Sequence, residues 1–131
     1  MKISKFFKVA VASALLITTM AVPVMASKKS YEFDLSMEYG NEAHSAINYK
    51  DDNEQRAYVY TQDGNISSVD VFTMQIVGPY SDIEYCETQR ITSNSGRYLY
   101  DYVTYVGQGG GARIRAITNK FDVWVTGYWY S

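Results

Sequence analysis

The chain has 131 residues, 20% of them charged and 47% hydrophobic, with nine Gly, two Pro, one Cys and one His. That length fits one domain, and the composition excludes a coiled coil, a collagen and a disordered polymer. A single Cys and a single His exclude an internal disulfide and most metal centres.

Lys2, Lys5 and Lys8 open the chain, and residues 9–24 are apolar apart from Ser13, Thr18 and Thr19. Val24 and Ala26 then stand at the −3 and −1 positions of a cleavage site, which completes the pattern of a secretory signal peptide, residues 1–26. About 15 apolar residues fall short of the roughly 20 that span a bilayer, so cleavage is expected rather than anchoring. No later stretch reads as a transmembrane segment, and no Cys marks a lipid attachment point. The expected product is a secreted single antiparallel β domain, residues 27–131. Its nine Lys and Arg against fourteen Asp and Glu give about −5, which argues against nucleic acid as a partner.

Period-2 alternation dominates this domain. Tyr31, Phe33, Leu35 and Met37 alternate with Glu32, Asp34, Ser36 and Glu38, as in a half-buried strand. Further strands are predicted over 43–49, 57–61, 69–77 (ending at Gly78-Pro79), 83–91, 98–106, 112–118 and 121–130. Asp63-Gly64-Asn65 and Ser93-Asn94-Ser95-Gly96 read as turns, Gly107 to Gly111 as a flexible hairpin tip, and Asn119-Lys120 as a hairpin closing onto the last strand. About eight strands joined by short turns predict an all-β fold, an antiparallel β-sandwich or small barrel.

Few residues suggest chemistry. His44 and Cys86 are the one possible thiol pair, but nothing around Cys86 marks an activated thiolate, and a buried small apolar role is expected for it. Asp51-Asp52-Asn53-Glu54 offers oxygen ligands, yet Arg56 stands where a calcium loop needs Gly, so a solvated acidic turn is expected. The glycine run lacks the Lys-Ser/Thr ending of a phosphate loop. No cofactor, metal or catalytic residue is assigned, and no enzymatic activity is expected.

The aromatic residues carry more. Thirteen Tyr, five Phe and two Trp make 15% of the chain, about twice the usual share. Strand parity puts Tyr58 and Tyr60 on one face, Tyr98, Tyr100 and Tyr102 on another, and Trp124, Tyr128 and Tyr130 on a third. If the aliphatic positions make the core, these rings form an exposed binding band, with Arg113 and Arg115 as basic contacts.

The signal peptide, the short alternating domain, His44-Ser45-Ala46, Arg56-Ala57-Tyr58-Val59 and the aromatic end at Trp124, Tyr128, Trp129 and Tyr130 resemble the small exported β-sandwich proteins of Gram-positive bacteria, distantly like the lactococcin 972 bacteriocin family. The resemblance implies a secreted, bacteriocin-like protein that binds a cell-envelope component. The other expectation, from the rings alone, is a carbohydrate-binding or self-associating module, or one that binds a protein partner.

Overall fold

The structure is a computed structural model and describes residues 27–67 and 71–131. The expected signal peptide and the start of the strand expected at 69–77 lie outside the described residues. Within them the chain forms nine strands and no helix: β1 (Lys29–Leu35), β2 (Glu42–His44), β3 (Asn48–Tyr49), β4 (Arg56–Gly64), β5 (Phe72–Val77), β6 (Gln89–Arg90), β7 (Arg97–Asp101), β8 (Gly111–Thr118) and β9 (Val123–Tyr130). Every pairing is antiparallel. Sheet one runs β1-β9-β4-β7; sheet two runs β2-β8-β5-β6, with β3 also on β8. The architecture is thus the expected all-β sandwich. It is not a closed barrel, because each sheet keeps two edges.

Alternation builds the core. Tyr31, Phe33 and Leu35 of β1, Ala57 and Val59 of β4, and Val123, Val125 and Trp129 of β9 point inward from sheet one. They meet Phe72, Met74 and Ile76 of β5 and Ala112, Ile114 and Ala116 of β8. At roughly 1.5–3 kcal/mol for each large side chain removed from water, this set dominates folding without a disulfide.

The turn signals do different work from that expected. Among the described strands only β5 and β6 pair with a sequence neighbour; β2 and β3 stay on the same partner, β8, without pairing each other, and the remaining connections cross between sheets. Asp63 and Gly64 stay in β4 as ladder residues, opposite Thr126 and Val125, rather than turning. Asn119-Lys120 carries the chain from β8 in sheet two to β9 in sheet one, so the expected hairpin is absent. The glycine run likewise joins β7 to β8 across the sandwich. Gly109, at φ 87°, takes a conformation that favours glycine, and its N–H donates to Lys50 O at 2.8 Å. The tip is therefore docked on the loop after β3.

Three predicted strands shorten. The 43–49 strand splits into β2 and β3: Ser45 N–H still donates to Ile114 O, but Ile114 N–H returns to the Ser45 side-chain Oγ and the regular ladder ends there. Most of 83–91 is irregular, leaving β6 and a bridge from Glu84 to Val77. The 98–106 strand ends at Asp101, where Tyr102 N–H turns to Gln55 O and Val103 N–H to Tyr85 O.

Between Thr126 and Gly127 the register of β9 against β4 shifts by one residue, leaving Gln62 unmatched. Gly127 lets β1 close over this bulge: Tyr31 passes across it and donates its hydroxyl to Tyr60 O at 2.7 Å.

Candidate functional site

The outer side of sheet one carries a contiguous set of rings. Tyr60 stands opposite Tyr128 and Tyr58 opposite Tyr130 in the β4–β9 ladder, which brings side chains within about 5 Å. Tyr60 and Tyr128 stack with centroids 4.7 Å apart and an interplanar angle of 13°. Tyr130 sets its edge to both, at 6.2 Å from Tyr60 and 6.0 Å from Tyr128. The Lys28 ammonium sits 4.4 Å over the Tyr128 ring. Tyr58 donates to Glu54 Oε2 at 2.6 Å, and that bond holds its phenol above the ordinary value. Four residues along β9 from Tyr128, Trp124 is 43% exposed on the same side. Each ring faces outward because its strand neighbours, such as Ala57, Val59, Val125 and Trp129, face the core.

Tyr98, Tyr100 and Tyr102 are not part of this set. The expectation of an exposed band in that strand inverts: the rings turn inward and Leu99 turns out. Sheet-one edge strand β7 must span the gap to sheet two, and a phenol reaches further than an aliphatic chain while finding a polar partner at its tip. Tyr100, 1% exposed, donates to Met74 O of β5 at 3.0 Å. The Tyr98 hydroxyl accepts the N–H groups of Thr92 and Ser93 at 3.1 Å. Tyr102 packs under the buried Lys50, whose ammonium lies 5.2 Å from its ring and donates to Glu54 O.

Arg113 and Arg115 are corrected as well. They lie on the outer side of sheet two, the far side of the sandwich from the tyrosines. There they join an ion-pair network that the sequence did not reveal. His44 Nε2 meets Asp82 Oδ1 at 2.7 Å, Arg113 reaches the same oxygen at 3.3 Å, and Arg115 donates to Glu42 Oε2 at 3.0 Å. The bond from His44 holds the Asp82 carboxyl below its ordinary value. Glu42, His44 and Asp82 bring ligand atoms within 4.8 Å of one another, but the two guanidiniums already neutralise both carboxylates, which opposes a cation.

His44 and Cys86 are not brought together. His44 faces outward from sheet two, while Cys86 is in the core, where Ile76 N–H donates to its sulfur at 3.3 Å. Burial pushes the thiol up to about 11, the setting of a structural cysteine. The 51–54 acids are also engaged: Asp52 lies 3.7 Å from the Lys50 ammonium and accepts Glu54 N–H, and Asp51 accepts the Ser27 hydroxyl at 2.8 Å.

The comparisons add no relative: no family model, curated protein or solved structure matches this chain.

Proposed function

We propose that the protein is a secreted, non-enzymatic binding protein whose target is a glycan of the bacterial cell envelope, held on the tyrosine face of sheet one. The observation that carries this reading is the Tyr60–Tyr128 stack, flanked by Tyr58, Tyr130 and Trp124 on one outward side. Tyr60 and Tyr128 cover one another's inner faces, so the set offers ring edges together with the hydroxyls of Tyr60, Tyr128 and Tyr130, an apolar and hydrogen-bonding surface of the kind that holds a sugar. The likeness to bacteriocin-like exported proteins supports the same envelope target, and growth inhibition of Gram-positive cells is the expectation it adds.

The test is binding of the secreted product to isolated Gram-positive cell wall. Tyr60→Ala is expected to weaken binding about tenfold, the equivalent of one lost aromatic contact. Trp129 is fully buried, so a fluorescence change on binding should come from Trp124 and vanish in Trp124→Ala. Unchanged binding by both variants refutes the face as the contact surface. A mass that rises with concentration and falls in Tyr60→Ala favours self-association through the same rings instead.

A further inference from the structure

Four strands place four outward residues in one row across sheet one: Ser30 of β1 opposite Tyr128 of β9, Tyr128 opposite Tyr60 of β4, and Tyr60 opposite Arg97 of β7. The stacked pair therefore has a cation at each end. Lys28 covers Tyr128 from the β1 side. Arg97, exposed, makes no ion pair among the described residues. By contrast, Arg56 on the same side is taken by Asp101 at 2.6 Å. With neighbouring strands about 4.8 Å apart, the row from β1 to β7 spans roughly 14 Å, the reach of a short oligosaccharide.

The acids on this side fix a direction. Glu32 and Asp34 stand opposite Thr126 and Trp124, further along the strands, so a polyanion running parallel to β9 would meet them. One running across the strands meets Lys28, Tyr128, Tyr60 and Arg97 in order. We infer that the ligand of this face is an anionic glycan lying across the strands, its sugar rings packed along the outer edges of Tyr60 and Tyr128 and its negative groups on Lys28 and Arg97. The inference rests on the glycan-binding reading above and adds the charge and the orientation of the ligand. Carboxylate or phosphate on the glycan satisfies the same two cations.

The test uses the secreted product of the full chain with three soluble probes: polygalacturonate, a glycosylated polyglycerol phosphate, and neutral dextran. Both anionic polymers, or one of them, should bind at least tenfold more tightly than dextran, and that affinity should fall roughly 25- to 60-fold between 50 and 500 mM salt, as expected for two screened contacts. The double variant Lys28→Gln, Arg97→Gln should lose the preference for the anionic polymers and the salt dependence. Tyr60→Ala should weaken all three. Salt-independent binding of equal strength to dextran and the polyanions overturns the anionic ligand and leaves the stacking reading standing. Anionic binding that survives the double variant unchanged overturns the assignment of Lys28 and Arg97. No binding to any probe, with an intact fold by circular dichroism, overturns the glycan reading and this inference together.

Discussion

Gly127→Ala is expected to destabilise the domain by about 4 kcal/mol or more, a large share of the roughly 5–15 kcal/mol that holds a domain of this size folded. A Cβ at this position would lie 1.9 Å from Tyr60 O, 2.5 Å from the Tyr31 hydroxyl and 2.7 Å from the ring carbon that bears it. Neither neighbour can step aside cheaply. Tyr60 is fixed in ladders with both β9 and β7, and Tyr31 is a core residue whose hydroxyl is bonded to that same carbonyl. Relief must break the hydrogen bond or push β1 off the sheet, so overpacking adds to an unsatisfied buried polar group. Tyr31→Phe in the same chain should rescue little, since the clash with Tyr60 O remains. Gly109→Ala is the contrasting control: its position has φ 87° but open space for a methyl, and roughly 1 kcal/mol is expected. Urea denaturation of the purified variants decides the matter. A Gly127→Ala midpoint within about 1 kcal/mol of the parent would mean the bulge can open without cost.

The second large effect is alkaline unfolding. Burial raises the phenols of Tyr31, Tyr100 and Tyr102 well above their ordinary value near 10, and raises the Cys86 thiol to about 11. For an acid whose pKa is raised by folding, the stabilisation is complete below the unfolded value and is lost as pH climbs toward the folded one. Three phenols together remove about 4 kcal/mol per pH unit above pH 10, and the thiol begins to act near pH 9. Lys50 opposes this, because burial lowers its pKa and the folded state gains as it loses its proton below its ordinary 10.5. One amine cannot offset three phenols, so the net slope is downward. Against a typical 5–15 kcal/mol, the midpoint should fall at roughly pH 11–13. Tyr100→Phe should take about a third off the slope above pH 10, although it also loses the bond to Met74 O. Urea midpoints recorded from pH 9 to 11.5, followed by phenolate absorbance, check both statements. A midpoint that stays level from pH 9 to 11 would show the phenols ionise in place.

Strand positions and the sandwich were legible because alternation is a local property: Tyr31, Phe33 and Leu35 declare a face without any knowledge of the partner strand. Faces were legible only where aliphatic and aromatic positions sort cleanly. They did in β4 and β9. In β7 the rule that aliphatic residues face inward failed, since Tyr100 outreaches Leu99 and satisfies its hydroxyl on β5. Pairing was not legible at all. Asp63-Gly64-Asn65 has the composition of a hairpin turn, and what distinguishes its actual role, the approach of Gly64 to Trp124 O, lies 60 residues away in sequence. The same limit placed Arg113 and Arg115 beside the tyrosines, when only sheet order separates them. It also hid Arg97, whose position opposite Tyr60 exists only in the ladder.

The crossing of the chain from sheet to sheet has a kinetic side. β5 and β6 alone can find each other locally; β9, which holds sheet one together, must pair with β1 at the opposite end of the domain, Trp129 against Lys29. Sheet one therefore cannot begin to close around its centre until the last strand has been made, and loop entropy opposes each step before any contact rewards it. Folding in milliseconds to seconds follows from such non-local topology. During that delay the apolar faces of unpaired strands stay open to other chains, so the time to completion also sets how long a new polypeptide is exposed to aggregation.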